Sequence, residues 1–256
     1  MDVYKYNSEA WDAEVGKGNP WSRPVSPEEV AKARAGEFRI LLSPVKPVPG
    51  DWLGTVRDRD ILCLASGGGQ QGPLLAAAGA RVTVLDASPE QLARDSMVAD
   101  REGLKITIHL GDMRDLSRFA DKSFDLIIHP VSNCFIPDVA PVWKECFRVL
   151  RPGGSLLSGF NNPFTYSFDR QLSEKGTLQL KYPIPYSDLT SLTDAERQEF
   201  IGRNEPLEFG HSLGDQIGGQ LKAGFLLSDF YEDVWGDGNI EDRFFPHFIA
   251  TRALKT

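Results

Sequence analysis

The sequence predicts an α/β fold built on a mostly parallel β-sheet, and three observations lead to that fold class. Short apolar segments alternate along the chain with longer segments that open on helix-capping residues, which is the pattern of strands and crossover helices. The first apolar segment, residues 61–64, is followed closely by three glycines at 67–69. The last two apolar segments are joined by a turn at 235–239, which is too short for a crossover helix and therefore predicts an antiparallel final pair.

Composition describes a globular protein of 256 residues, 41% of them hydrophobic, which we expect to form one large domain. The net charge of −8 argues against nucleic-acid binding, because basic side chains supply most of that affinity. No apolar run approaches the roughly 20 residues of a membrane span, and the first residues lack the pattern of a signal peptide. The three cysteines, Cys63, Cys134 and Cys146, lie in apolar surroundings. We therefore expect no membrane association, no metal site and a reducing, cytoplasmic location.

The N-terminal region, residues 1–50, is predicted to be a lid arm followed by a helix. Residues 1–25 are rich in Trp, Gly and Pro, so this arm either docks on the domain or stays disordered, and Trp11 and Trp21 favour docking. Ser26 and Glu29 form the two ends of a capping box that opens the helix. Three prolines in residues 43–50 predict an extended loop.

Seven strands are predicted in the rest of the chain, at residues 61–64, 81–86, 106–110, 124–129, 155–160, 225–231 and 244–251. Helices are predicted at 70–78, 88–102, 138–150 and 212–224, each bounded by a capping residue or by Gly and Pro. A Pro-Gly-Gly break at 151–154 separates the third of these helices from the fifth strand. The alternation stops at residue 161, which predicts an insertion over the sheet edge up to about residue 210.

The glycines after the first strand carry the clearest chemical signal. Gly67, Gly69 and Gly72 satisfy G-x-G-x-x-G, and Asp86 ends the next strand 19 positions after Gly67. In open α/β sheets a carboxylate at that place accepts both hydroxyls of a ribose. The alternatives are a glycine turn without a ligand and an Asp86 that only caps the next helix, although Ser88 already fills that role.

A second acid follows the third strand, in the sequence Gly111, Asp112, Met113. At the carboxyl edge of the sheet, a carboxylate here can accept a hydrogen bond from the adenine amino group, and the methionine can pack on the ring. The alternative is an aspartate that only forms the turn, a role that Gly111 already serves.

Taken in order, these motifs resemble the class I S-adenosylmethionine-dependent methyltransferases. The resemblance adds the segment Arg-Val-Leu-Arg-Pro-Gly-Gly before strand five and covers residues 50–160 most strongly. It implies a Rossmann-like seven-stranded sheet whose last strand is antiparallel. It also implies that S-adenosylmethionine is the cofactor and that it is held by Ala65, Ser66, Gly67, Gly69, Asp86, Ala87, Asp112, Met113 and His129.

The chain departs from the family pattern in strand one. Cys63 stands where the family usually has an acid, and Ala65 where it usually has glycine. The acid commonly helps to hold the amino group of the methionine moiety. The resemblance therefore implies that backbone carbonyls near Ala65 or at His129 hold that group here.

Two histidines are the candidate catalytic bases. His129 ends strand four, beside the place that the family gives to the transferable methyl, and His211 precedes the helix that begins near Ser212. A charged histidine is disfavoured at a helix N-terminus, so a neutral imidazole able to accept a proton fits there. The alternatives are a core histidine at 129 and a surface turn histidine at 211.

Asn133, Tyr166 and Tyr186 are the candidate substrate contacts, although the tyrosines could equally form the core of the insertion. The single domain then divides into a lid (residues 1–50), a cofactor-binding core (51–160), a substrate cap (161–210) and a C-terminal helix with the antiparallel pair (211–256).

The function predicted from these features is methyl transfer from S-adenosylmethionine to a small-molecule acceptor, without a metal ion. A monomer is favoured, and the sequence does not reveal the acceptor. Two alternatives stay open: an NAD-dependent oxidoreductase, which could use the same glycine motif and Asp86, and a cofactor-binding module without catalysis, which the loss of the acid at Cys63 keeps open.

Overall fold

The structure is a computed structural model that describes residues 1–236 and 238–256. The described residues form nine strands: β1 (Asp60–Leu64), β2 (Arg81–Asp86), β3 (Ile106–Leu110), β4 (Phe124–His129), β5 (Leu150–Asn161), β6 (Tyr186–Ser187), β7 (Phe209–Gly210), β8 (Leu226–Asp233) and β9 (Phe248–Leu254). Seven of them build one sheet in the order β3-β2-β1-β4-β5-β9-β8, and β6 and β7 form a separate pair.

The large sheet confirms the predicted fold class. Strands β1 to β5 run parallel to one another, and β9 is antiparallel to both β5 and β8. The connection before β9 is longer than predicted, because it includes a short 3₁₀ helix, Ile240–Arg243, and β9 begins only at Phe248. Asp237, within the predicted turn, lies outside the described residues.

The helices of the described residues are α1 (Val3–Lys17), α2 (Pro27–Arg34), α3 (Gly50–Leu53), α4 (Gln71–Ala77), α5 (Pro89–Glu102), α6 (Ala140–Val149), α7 (Arg170–Ser173), α8 (Asp194–Gly202) and α9 (Leu213–Ala223). Their capping follows the predictions at α2, where Ser26 and Glu29 form the capping box, and at α5, where Ser88 accepts a hydrogen bond from the Gln91 amide. None of these helices is long and apolar enough to cross a membrane.

Two boundaries differ from the sequence prediction. Helix α1 occupies most of the arm, for which no regular structure was predicted, because its apolar residues do not repeat along one face. Strand β5 begins at Leu150, directly after α6, so the predicted break at 151–154 belongs to the strand. The pairing with β4 shifts register between Phe124 and Leu126, which accommodates the two glycines at the strand's start.

The sheet is buried on both faces, as the unbroken apolar character of β1 indicates. Ile61 and Cys63 pack in one hydrophobic cluster, and Leu62 and Leu64 pack in a second cluster on the other side. The three cysteines are free thiols inside the core. These two cores fix the carboxyl ends of β1, β2 and β4 along one edge, where the functional residues lie.

The insertion at residues 161–210 folds as a compact cap. It contains α7, α8 and the antiparallel pair in which Tyr186 of β6 faces Gly210 of β7. No βα alternation runs through it, as the sequence indicates. The cap therefore adds a layer at the carboxyl edge of the sheet without extending the sheet itself.

Candidate functional site

The glycine loop and Asp86 form the first part of the site. The Gly67 amide donates to Oδ2 of Asp86 at 2.9 Å, and the Ser88 amide donates to Oδ1 at 3.0 Å. Each carboxylate oxygen has a second lone pair, so the group is held in place and still able to accept hydrogen bonds from a ligand. Burial raises the pKa of this carboxyl.

Glycine is required in this loop at two positions because other backbone comes close. A Cβ at Gly68, whose φ is 104°, would lie 2.3 Å from the Trp21 carbonyl oxygen. A Cβ at Gly69, whose φ is 73°, would lie 2.9 Å from the Arg94 carbonyl oxygen. Gly69 therefore lets the loop pack against α5, whereas Gly67 lines the cavity described next.

A cavity of about 240 Å³ lies at this edge of the sheet. Seven of the nine residues predicted to hold a cofactor line it: Ala65, Ser66, Gly67, Asp86, Ala87, Asp112 and Met113. The other two, Gly69 and His129, are not among its lining residues. Three lining side chains carry buried polar atoms without a hydrogen-bond partner, namely Ser66 Oγ, Gln91 Oε1 and Asn161 Oδ1. Buried polar atoms are rarely left without a hydrogen-bond partner, so a ligand or a water molecule is expected to bond to these three.

Asp112 has a partner that the sequence analysis missed. The Arg114 guanidinium donates to both carboxylate oxygens at 2.5–3.0 Å, and its backbone amide adds a bond of 2.8 Å to Oδ1. This ion pair raises the pKa of Arg114 and sets the orientation of the carboxylate. Met113 is buried beside it. Both residues follow the end of β3, where the sequence predicts them, and both line the cavity.

The N-terminal arm closes one side of the cavity. Tyr4, Asn7 and Trp11 from α1, and Trp21 beyond it, all line the cavity. Burial raises the pKa of Tyr4, and so do the nearby Asp112 and Asp86. The arm therefore docks on the domain, which was one of the two alternatives left by its sequence.

Specific hydrogen bonds hold the arm in place. The Asn7 side chain donates to the carbonyls of Phe135 at 2.7 Å and Leu207 at 2.9 Å, and it accepts from the Leu207 amide at 2.8 Å. Asp12 accepts from the Ser88 hydroxyl at 2.5 Å. The arm is thereby tied to the cap on one side and to the start of α5 on the other.

Asp95 is a buried acid that the sequence analysis did not single out. It lies on α5 with no exposed surface, and its Oδ2 accepts the Gly69 amide at 3.2 Å. Its Oδ1 is buried without a partner among the described residues. Burial, assisted by the charge of Asp86, raises the pKa of Asp95 to about 8. A polar residue inside a helical pattern gives no sequence signal that it faces the glycine loop.

The departures in strand one have structural consequences. Ala65 adopts a left-handed conformation with φ of 47°, which explains why glycine is usual at this position. Cys63 is fully buried in the hydrophobic core, and burial, with the nearby Asp95, raises its thiol pKa well above the usual range. The thiol is therefore held neutral and contributes packing rather than charge.

The two histidines are engaged in contacts within the protein. His129 is fully buried, with Nδ1 at 2.9 Å from the Leu64 carbonyl and Nε2 at 2.9 Å from Asn133 Oδ1. The His211 Nε2 lies 3.0 Å and 2.9 Å from the carbonyls of Asn133 and Ile136. Burial lowers the pKa of both imidazoles.

Neither histidine lines either of the cavities described here. Asn133 is also fully buried, and its amide links His129 to Gln216 at 3.0 Å instead of lining a cavity. These contacts do not favour the base roles predicted for His129 and His211 or the substrate role predicted for Asn133. They place the three residues in a hydrogen-bonded core between β4 and the start of α9.

A second cavity, of about 750 Å³, lies beneath the cap. It is lined by the predicted Tyr166 and Tyr186, whose rings stack at 5.4 Å between centroids. A Cβ at Gly210 would lie 2.7 Å from the Tyr166 ring, so glycine there allows β7 to pack on its face. The tyrosines thus line a cavity and also form part of the cap's core.

Glu208, which the sequence analysis also missed, lines both cavities, together with Asn161, Trp235 and Phe248. The cavity under the arm and the cavity under the cap therefore adjoin at these four side chains. Within residues 1–236 and 238–256, no cluster of three or more His, Cys, Asp or Glu side chains could hold a metal ion.

Comparison with known proteins gives consistent matches. A family profile described as a methyltransferase domain matches residues 62–158. The uncharacterized methyltransferase YbaJ of Bacillus subtilis is 49% identical over 250 residues, which covers 98% of this chain and 97% of that protein. A ubiquinone biosynthesis O-methyltransferase of Idiomarina loihiensis is 28% identical over 82% of this chain and 90% of its own length.

Solved structures share the fold at low sequence identity. An S-adenosylmethionine-dependent methyltransferase from Mesorhizobium loti has a TM-score of 0.63 and 20% identity, over 80% of this chain and 94% of that one. The 1,6-didemethyltoxoflavin-N1-methyltransferase of Burkholderia thailandensis, solved with 1,6-didemethyltoxoflavin and S-adenosylhomocysteine bound, has a TM-score of 0.59 and 14% identity, over 98% of this chain and 88% of that one.

Proposed function

The chain belongs to the class I S-adenosylmethionine-dependent methyltransferases, and from that premise we propose that its acceptor is a small molecule bound beneath the cap. The cofactor is S-adenosylmethionine. Nothing in the comparisons supports an NAD-dependent oxidoreductase or a non-catalytic binding module.

The observation that carries the proposal is the pair of adjoining cavities. The residues of the first cavity fit the cofactor, because its wall combines two fixed carboxylates with the unpaired buried Ser66 Oγ and Gln91 Oε1. Asp86 would accept the ribose hydroxyls, Asp112 the adenine amino group, and Met113 would pack on the adenine. Ser66, Gly67 and the backbone at Ala65 and Ala87 would complete the contacts.

The second cavity is the proposed acceptor site. It adjoins the first at Glu208 and Asn161, and aromatic and charged side chains of the cap line it. A concave site with aromatic walls and a few placed polar groups can hold and orient a small molecule. The toxoflavin-type neighbour, which acts on a small heterocycle according to its name, is consistent with this acceptor class.

Bound S-adenosylmethionine supplies an electrophilic methyl group on a sulfonium. The protein's contribution is then to align the acceptor and to exclude water from the junction of the cavities. The N-terminal region, residues 1–50, is proposed as the lid over the cofactor, since Tyr4, Trp11 and Trp21 of its arm close the first cavity. Residues 161–210 are proposed as the substrate cap.

The test begins with calorimetry of the purified protein with S-adenosylhomocysteine and with NAD. We expect binding of S-adenosylhomocysteine in the micromolar range, and Asp86→Ala should weaken it by about 1.5–3 kcal/mol, the range for a hydrogen bond to a charged group. Asp100→Ala, an exposed change on the neighbouring helix α5, is the control and should bind like the wild type. Tight NAD binding without S-adenosylhomocysteine binding would overturn the cofactor assignment.

The acceptor class is tested separately with a cell metabolite extract and S-adenosylmethionine carrying a labelled methyl group. Label recovered in low-molecular-mass products supports the proposal. Label found only in protein or nucleic acid contradicts the small-molecule acceptor.

A further inference from the structure

The junction between the two cavities contains a carboxylate with unused hydrogen-bonding capacity. Glu208 Oε2 accepts the Tyr166 hydroxyl at 2.7 Å, which is the one side-chain donor to this carboxylate among the described residues. Since a carboxylate offers about four lone-pair sites, most of them are left for a ligand. Because Glu208 lines both cavities, a ligand in either one can reach it.

The neighbouring acid in the cap is different. Asp188 accepts the Tyr186 hydroxyl at 2.6 Å on Oδ1 and the Glu208 backbone amide at 2.7 Å on Oδ2. It is almost completely buried and fixes the backbone at Glu208, directly before β7. Asp188 is therefore a structural group, which leaves Glu208 as the acid that faces the junction.

Asn161 adds a second acceptor at the same place. Its Nδ2 donates to the Tyr166 hydroxyl, so its amide orientation is set, and its Oδ1 is buried without a partner. The carboxylate and this amide oxygen both accept hydrogen bonds. A ligand group that bonds to both the Glu208 carboxylate and Asn161 Oδ1 must donate at least two hydrogen bonds. A cationic donor is favoured over a neutral one, because its hydrogen bond to a carboxylate is stronger.

The rest of the wall fits an organic cation. Tyr186 and Trp235 line it with aromatic rings, and the face of such a ring attracts cations. The one arginine in the cap cavity, Arg170, is engaged by Glu174 at 3.4 Å and Glu205 at 3.5 Å. The charges of Glu208, Glu205 and Glu174 raise the pKa of Arg170 in spite of its burial, so Glu208 shares the arginine's charge with the other two carboxylates.

We propose that the methyl acceptor is an amine, which enters the junction as an ammonium ion and is held there by Glu208 and Asn161. The inference rests on the proposed function and specifies its substrate class. An ammonium has no lone pair for methylation, so one N–H bond must break first. The proton passes to a Glu208 oxygen, forming an O–H bond, and the electron pair stays on nitrogen.

The surroundings of Glu208 support this transfer. Burial and the nearby Asp188 and Glu205 raise its pKa, while the Tyr166 hydroxyl and Arg170 oppose that rise. A raised pKa makes the carboxylate a stronger base than an exposed glutamate. Tyr166 keeps its proton, since burial and Glu208 raise its pKa well above the usual range, and it orients the carboxylate by donating to it.

The test measures binding of three matched probes to protein saturated with S-adenosylhomocysteine, by calorimetry or ligand-observed NMR. The probes are 2-phenylethylamine, 2-phenylethanol and phenylacetate, which share a ring and differ in the group presented to the junction. We expect the amine to bind at least 10-fold more tightly than the alcohol and the acid not to bind. Equal binding of the amine and the alcohol to the wild-type protein, or preferred binding of the acid, would overturn the proposal.

The variant Glu208→Gln keeps the side chain's shape and removes its charge. It should weaken binding of 2-phenylethylamine about 10-fold or more and leave binding of S-adenosylhomocysteine within twofold. The matched control is Glu199→Gln, at an exposed position of α8 and in neither cavity lining, which should bind the amine like the wild type. Amine binding unchanged in Glu208→Gln would refute the role of Glu208. If S-adenosylhomocysteine itself does not bind to the wild type, the proposed function fails, which is a separate outcome.

Discussion

Replacing Asp95 with asparagine should change how the stability of this protein depends on pH. Asp95 is fully buried, and its raised pKa of about 8 means that the folded state keeps its carboxyl protonated at neutral pH. The unfolded chain releases that proton above its ordinary value of 3.8. The folded state therefore binds more protons than the unfolded state between these two values, and stability from this group is lost as pH rises.

The expected magnitude follows from the linkage between protons and folding. One proton released on unfolding lowers the free energy of unfolding by about 1.4 kcal/mol per pH unit. From pH 6 to pH 8 the loss from Asp95 is about 2–2.5 kcal/mol, since the slope levels off near the folded-state pKa. The asparagine of the variant would still offer its side-chain oxygen to the Gly69 amide, which now donates to Asp95 at 3.2 Å, but it cannot ionise.

The assay is urea unfolding of the wild type and Asp95→Asn at pH 6, 7 and 8, with intrinsic Trp fluorescence as the probe. The stability of the variant relative to the wild type should increase by about 2 kcal/mol across this range. Asp100→Asn, at an exposed position of the same helix, is the control and should leave the difference constant. If the free energies of unfolding of Asp95→Asn and the wild type differ by the same amount at pH 6, 7 and 8, the protonated state of Asp95 is refuted.

Three further outcomes follow from the site. Gly69→Ala should lower the free energy of unfolding by at least about 1 kcal/mol in the same urea assay, because its φ of 73° and the Arg94 carbonyl both oppose a Cβ; an unchanged midpoint would contradict this packing. Trypsin cleavage at the exposed Lys17 should slow several-fold when S-adenosylhomocysteine is added, whereas equal rates with and without ligand would make the arm a fixed element. His211→Ala should cost about 1–3 kcal/mol of stability, because the Ile136 carbonyl loses its imidazole donor and the Asn133 carbonyl keeps only the Ile136 amide at 3.3 Å. Binding of S-adenosylhomocysteine should stay within about 0.5 kcal/mol of wild type; full stability with a 100-fold loss of methyl transfer would restore its role as a base.

The sequence could predict that most of the proposed cofactor contacts line one cavity, because these residues follow local patterns. Asp86 and Asp112 come at the ends of strands that the apolar runs define, and parallel strands end at one edge. The glycines mark the turn between β1 and α4. The order of these residues in the chain and the turns that follow the strands are therefore enough to predict that they lie close together.

The histidines show the limit of that reasoning. His129 and His211 have the right residue type and position in the chain, but their ring nitrogens contact Leu64, Asn133 and Ile136 within the core. Which way a side chain points at the end of a strand depends on the elements packed around it. That information is not in the local sequence.

The sequence by itself determined the sheet, its antiparallel end, the glycine loop and the two strand-end acids, because periodicity, capping and turn residues act over a few neighbours. Only the tertiary structure decided that the arm folds as α1, where Asn7 is bonded to Leu207, 200 positions away. It also decided that Asp95 packs against the glycine loop and that Glu208 lines both cavities. A polar residue in a helix or loop looks the same in sequence whether it meets water or a buried cavity, and distant packing alone makes the difference.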